Sequence, residues 1–188
     1  MNNLAQALQD AGRDEEALAL NKETLEKRRQ VLGDGHPDTL SSINNLAISH
    51  RELGHHTESL ALREQALEKR REILGEDHPD TLRAMGGLAL SYQDAGRLDE
   101  AETLLRQYLT VRGKRSVQDW RFFFAQSALG RILTGQKKYA EAEVLLLASH
   151  EGLEMTGSSL SESEAERLKG ARESLAKLYQ NWGEPEKA

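Results

Sequence analysis

Apolar residues recur along this chain at helical spacing, and glycines and polar runs interrupt them at near-regular intervals. From Met1 to Ala11, Leu4, Ala5 and Leu8 share one helical face, and Gly12 suits the left-handed turn that ends a helix. A second helix is predicted from Asp14 to about Val31, with Ala17, Leu18, Leu20, Leu25 and Val31 as candidate buried positions. Glu15 and Glu16 fall in its first turn, where the helix dipole favours carboxylates. The pattern then predicts helices from Pro37 to about Leu53 and from Thr57 to Leu74. Another pair starts at Pro79, turns at Gly96 and resumes from Leu98 to about Val111. Proline is tolerated at each of those starts because the first turn has no intrahelical partner for its missing N–H. Further on, Asp119 is an available N-cap for a helix to about Thr134, and Lys138 to about Glu154 reads as the next. Gly152 to Ser159 is the most loop-like stretch. Ser161 and Glu164 then form a capping-box signature that opens a long helix to about Asn181.

These elements repeat. Leu32-Gly33-Asp34-Gly35-His36-Pro37-Asp38-Thr39-Leu40 returns as Leu74-Gly75-Glu76-Asp77-His78-Pro79-Asp80-Thr81-Leu82, a period of 42 residues. The same offset matches Leu25-Glu26-Lys27-Arg28-Arg29 with Leu67-Glu68-Lys69-Arg70-Arg71, and Asn2-Asn3-Leu4-Ala5 with Asn44-Asn45-Leu46-Ala47. A fixed period of this size marks a stacked array whose units bury their apolar faces against their neighbours. After about Val111 the copies loosen, with Arg112 to Gln118 in place of the His-Pro-Asp-Thr-Leu joint. Ala142 still stands where Ala101 stood, 41 residues on. Repeats are therefore expected over residues 1–35, 36–77, 78–117, 118–160 and, incomplete, 161–188, within one domain spanning 1–188.

Leu88-Ala89, Tyr92, Gly96 and Ala101 reproduce the spacing of the tetratricopeptide signature, which Leu175-Ala176, Tyr179, Gly183 and Ala188 repeat. The chain thus resembles the tetratricopeptide repeat family, and its longer unit resembles the kinesin light chain class of that family over about Met1 to Val111. The later part carries Asp119-Trp120-Arg121, Gly135 to Glu143, Leu145-Leu146-Leu147 and Trp182 to Ala188. It resembles the C-terminal repeats of bacterial Ser/Thr protein kinases of the planctomycete type. The resemblance implies an all-α fold, an α-solenoid of about nine helices in antiparallel pairs wound as a right-handed superhelix. The chain itself has no Gly-rich phosphate loop, VAIK-like strand, HRD or DFG, so no kinase machinery is expected in it. Met1 falls where Ile43 sits in the second repeat, and Ala188 where a fifth second helix begins. The expectation is a fragment of a longer chain.

In such arrays the first helix of each pair lines a concave groove for a peptide. Carried over position by position, Asn2 and Asn3 correspond to Asn44 and Asn45, then to Gly86 and Gly87, Ser127 and Ala128, and Glu173 and Ser174. An amide offers a donor and an acceptor, which is what holding a peptide main chain without reading its sequence requires. The same face is expected to carry Gln6, Gln9, Arg51, Arg83, Gln93, Arg131 and Lys177. This mostly cationic set suits an acidic peptide. The competing reading is that Asn44 and Asn45 merely bridge neighbouring helices and that the charges are solvated.

Composition narrows the function classes. A net charge of -6 argues against a chain that depends on phosphate-backbone attraction, so no nucleic-acid partner is expected. With no cysteine there is neither a disulfide framework nor a thiolate metal site, which favours the cytoplasm. The longest apolar run, Val144 to Ala148, is far too short for a membrane span. His50, His55 and His56 near Glu52 read as a solvated turn rather than a metal site, because no third ligand stands at helical spacing. The Lys27-Arg28-Arg29 and Lys69-Arg70-Arg71 clusters alternate with glutamates and read as helix-surface charge. Trp120, Phe122, Phe123 and Phe124 read as core that refills the loosened joint, with Phe124 the one placed to face the groove. No nucleophile–base or paired-carboxylate constellation stands apart from the repeat pattern, and no enzyme or cofactor is expected. The function expected is a protein-interaction scaffold. The alternative is a regulatory module that self-associates, appended to a signalling protein such as a Ser/Thr kinase.

Overall fold

The His-Pro-Asp-Thr-Leu joints set where helices begin. His36 is the N-cap of α3 (Pro37–Glu52), and its Nδ1 accepts a hydrogen bond from the Asp38 N–H at 3.1 Å. His78 does the same for the Asp80 N–H at 3.1 Å, at the start of α5 (Pro79–Asp94). Proline occupies the first helical position, aspartate lies near the positive end of the dipole, and Thr39, Leu40, Thr81 and Leu82 turn inward to full burial. The computed structural model describes residues 2–114, 120–155, 162–184 and 186, and the side chains of all of these except 2, 3, 162–165 and 167. Among the described residues there are nine helices and no strand. The remaining ones are α1 (Asn2–Asp10), α2 (Asp14–Leu32), α4 (His56–Leu74), α6 (Leu98–Gly113), α7 (Trp120–Gly135), α8 (Tyr139–Met155) and α9 (Glu162–Trp182). Asp119, Ser161 and the side chain of Glu164, and with them the expected cap and capping box, lie outside what the structure describes.

Equivalent tight turns reverse the chain between the helices of a pair. Gly12, Gly54 and Gly96 adopt φ of +70°, +76° and +73°, and the residue after each donates its N–H back to the last turn of the preceding helix. The corresponding position in the fourth repeat is not a glycine. Lys137 takes it at φ 62°, with the same back-bond from the Lys138 N–H to the Leu133 carbonyl at 2.9 Å, whereas Gly135 is helical.

The chain forms two compact units, Met1–Ala84 and Met85–Ala188. In the first, α2 packs on both α1 and α3, and α3 on α4. Leu25, Leu40, Ile43, Leu46 and Ala66 form its buried centre, with Leu18 and Leu62 against them. Ala17 is fully buried at the helix crossing. Ser59, its counterpart one repeat on, stays buried by donating to the Ala47 carbonyl at 2.7 Å. Val31, expected inside, is 80% exposed. Its counterpart Ile73 has a place to rest over Gly35, where a Cβ would come within 2.8 Å of Ile73 Cδ1.

In the second unit α7 packs on α6, α8 and α9, and α8 on α9. Ala101, Leu105, Leu129, Ile132, Leu133, Ala142, Leu146 and Leu178 are buried there. The aromatic run divides as its spacing implies. Phe122 is buried and meets Phe123 edge to face, and Trp120 and Phe123 pack on Leu153, Leu168 and Ala171. Gly152, read as loop from the sequence, lies inside α8. Its missing side chain makes room for the Phe123 ring, since a Cβ there would sit 2.1 Å from Phe123 Cε1.

On the second helices, Arg28 and Arg70 do more than carry surface charge. Arg28 donates to the Asp38 carbonyl at 2.9 Å and to Ser42 Oγ at 2.7 Å, fastening α2 to α3. Arg70 reaches the Leu40 carbonyl at 3.3 Å. Their neighbours Lys27, Arg29, Lys69 and Arg71 pair with nearby carboxylates as the charge pattern implied.

Candidate functional site

The residues expected on the face of the first helices fall into three groups in the structure. One group is spent locally. Gln6 donates to Asp10 at 3.0 Å, and Arg51 pairs with Glu52 at 2.6 Å. Arg83 pairs with Asp80 at 3.0 Å, its side chain 78% exposed. Gln9 donates to Ser49 Oγ at 3.3 Å, and the buried Asn21 donates to the same oxygen at 2.9 Å, so these two amides tie α1 and α2 to α3. The buried Asn21 was not anticipated from the sequence.

A second group is poised and unspent. Asn44 and Asn45 are half-buried on α3, and neither side chain hydrogen-bonds to any described residue. They therefore do not bridge neighbouring helices among the described residues, and both amides keep a donor and an acceptor free. The side chains of Asn2 and Asn3 lie outside the described residues.

The third group converges. Gln93 on α5, Arg131 on α7 and Lys177 on α9 line one hollow of ≈ 410 Å³, together with Glu173, Ser174 and Asn181. Arg131 also borders a second hollow of ≈ 300 Å³, whose walls include Phe124, Ser127, Leu153 and Ala171. The positional carry-over from Asn44 and Asn45 thus reaches the hollows at Ser127, Glu173 and Ser174, and Phe124 faces one of them. Arg131 is half-buried and makes no hydrogen bond or ion pair with any described residue. Burial pushes its guanidinium below its ordinary value. Gly170, on the floor of both hollows, was missed from the sequence. The signal was available, because Gly170 falls in the register that carries Arg83 and Phe124.

His50 and His55 face each other across the α3–α4 turn with their Nδ1 atoms 3.4 Å apart. Burial is the main effect pushing His50 below the usual histidine range, and His55 and Lys22 add to it against Glu58. Among the described residues no group of three or more His, Cys, Asp or Glu is arranged to hold a metal ion. No described helix is long and apolar enough to cross a membrane.

Paired helices with small residues at their crossings and glycine turns at a fixed interval define a helical-repeat protein. The chain belongs to the tetratricopeptide repeat family, whose model matches residues 1–68 and 44–114. Proteins of this family are generally non-catalytic scaffolds for protein interaction. Among solved structures, a kinesin light chain-type array of nearly identical repeats from Podosopora anserina is 27% identical with a TM-score of 0.80, covering 99% of this chain and 87% of that one. A point variant of it gives 26% and 0.82, with 99% and 86% covered. BtubC from P. vanneervenii shares the fold at 21% identity and a TM-score of 0.82, over 98% of this chain and 72% of that one. No curated protein sequence matches the chain.

Proposed function

We propose that this chain is an interaction scaffold whose first-helix faces hold an extended, acidic segment of a partner protein in the cytoplasm. The observation that carries this reading is the amide pair Asn44 and Asn45, half-buried yet without a hydrogen bond to any described residue. Half-buried amides lose part of their hydration, and a peptide main chain returns it with one donor and one acceptor per residue. Attachment to a Ser/Thr kinase, which the resemblance of the later repeats implies, would make that kinase or its substrates the source of the segment. The test is isothermal calorimetry against arrayed peptides. Asn44→Ala with Asn45→Ala should weaken any peptide captured by the wild type, by on the order of 1 kcal/mol for each lost hydrogen bond. An undiminished affinity in that double variant would move the site off this face.

A second reading, self-association, is favoured by one observation. Val144 and Leu147 are 67% and 39% exposed on α8, beside a groove lined by Leu109 and Leu145, while α6 carries Thr103 and Arg106 in their place. Light scattering across concentration separates the two, since a scaffold that only binds peptide keeps one mass.

A further inference from the structure

Most described glycines have a structural reason to be glycine. Gly12, Gly54 and Gly96 sit at positive φ, and Gly130 and Gly152 lie where a Cβ would come within 2.6 Å of Leu146 and 2.1 Å of Phe123. Gly170, like Gly86 and Gly135, has neither reason. It stands in the interior of α9, outside the positive-φ set, and a Cβ there would meet nothing within 4 Å. Glycine in a helix interior weakens the helix relative to alanine, so the fold gains nothing from it. What distinguishes Gly170 is its place. It borders both the ≈ 410 Å³ and the ≈ 300 Å³ hollow, as Arg131 does.

Resting on the reading of the first helices as a peptide-binding face, we propose that Arg131 and Gly170 form one ligand subsite. Arg131 takes the carboxylate of a single acidic side chain within an extended peptide. The peptide main chain crosses α9 at Gly170, closer than any side chain there would permit, and an adjacent apolar side chain enters the smaller hollow against Phe124, Leu153 and Ala171. Three observations support this assignment. Arg131 is half-buried without a partner among the described residues, and a partly desolvated guanidinium gains most from an anion that it can hold with two hydrogen bonds. The smaller hollow has an apolar side formed by Phe124, Leu153 and Ala171, while Gln93 and Asn181 give the larger one groups that pair with a peptide main chain. Glu166 and Glu173 border the same hollows, which favours one negative charge at Arg131 over a phosphate dianion or a run of acids.

The experiment uses the full chain and three pools of short, end-blocked peptides. They are randomised over non-acidic residues except at the centre, which is Glu, Gln or phosphoserine. The wild type should hold the Glu pool on the order of tenfold more tightly than the Gln pool, the weight of a charge-assisted pair. Arg131→Gln should erase that preference. Gly170→Leu should weaken both pools while melting no lower than the wild type, because its side chain enters open space and leucine is the better helix former. A preference that survives Arg131→Gln, full binding by Gly170→Leu, or a stronger hold on the phosphoserine pool would each overturn the subsite. If the Asn44 and Asn45 variants lose both pools while the Arg131 and Gly170 variants lose nothing, the peptide-binding face stands and the subsite falls. If the wild type retains no pool, both fall.

Discussion

Glu102 is held by Arg106 of its own helix, α6, and by Lys138 in the turn that opens α8, which makes it a direct test of how the second helices of neighbouring repeats are tied. Lys138 Nζ lies 3.0 Å from one carboxylate oxygen and Arg106 Nη2 2.9 Å from the other, and Arg106 also reaches Glu141 at 2.7 Å. Burial would raise the Glu102 pKa, but hydrogen bonds from Lys138, Arg106 and Gln136 outweigh it and hold the carboxyl down to about 2. From an ordinary value of 4.5 the full shift corresponds to roughly 3 kcal/mol. The side chain is only 14% exposed, yet its partners are 43% and 47% exposed, so screening reduces this to about 1–2 kcal/mol. Because the folded value is depressed, the contribution is present above the unfolded value near 4.5. It is lost as pH falls through about 2. Urea unfolding of the wild type and Glu102→Gln should therefore differ by about 1–2 kcal/mol at neutral pH and converge as pH falls toward 2. A gap that stays constant over that range would mean that Glu102 acts through packing, and would refute the charge argument.

Three further outcomes follow from the fold. Lys137→Gly should raise the urea midpoint, gaining roughly 1 kcal/mol by relieving a left-handed conformation at φ 62°. Gly152→Ala should cost about 1–3 kcal/mol, because its Cβ would sit 2.1 Å from the Phe123 ring, and adding Phe123→Leu should recover part of the loss in thermal melts. Arg28→Glu should lower stability by about 1–3 kcal/mol, since it breaks the hydrogen bonds to the Asp38 carbonyl and Ser42, whereas Lys27→Glu should change the melt little.

Helix ends were legible because the devices that set them are local. Proline and histidine open α3 and α5, glycine closes α1, α3 and α5, and the observed bounds fall within a residue or two of the pattern. The misreadings share a different origin, since each depends on a contact distant in sequence. Val31 has the right spacing for burial, but only its counterpart Ile73 finds a glycine to lie on. Gly152 looked like a loop residue until the Phe123 ring filled the place of its side chain. Arg28 looked like surface charge because its acceptors lie across the joint on α3. On the candidate face, Arg51 and Arg83 are neutralised by carboxylates one and three positions away, a signal already present in the sequence. Arg131 has no such neighbour, and its isolation emerged only when α5, α7 and α9 were brought around it.

The repeats hold their frame fixed while their face changes, and this division explains how one architecture presents different chemistry along its length. Ala17, Ser59, Ala101 and Ala142 occupy one register and are all buried, because the helices of a pair cross there and only a small side chain lets them approach. The register of Asn44 and Asn45 runs instead to Gly86 and Gly87, then Ser127 and Ala128, then Glu173 and Ser174. In the second unit that register joins the packing, since Ser127, Ala128 and Ser174 are buried, whereas Asn44 and Asn45 in the first unit are only half-buried. The half-buried amides of α3 and the Arg131 guanidinium of α7 make no hydrogen bond with any described residue, so replacing them removes no such tie between the helices. Enlarging a frame residue, as in Ala101→Leu, should unfold the pair by overpacking a position with no accessible surface. Enlarging Gly170 on the face should leave the fold intact, because the space above it is open.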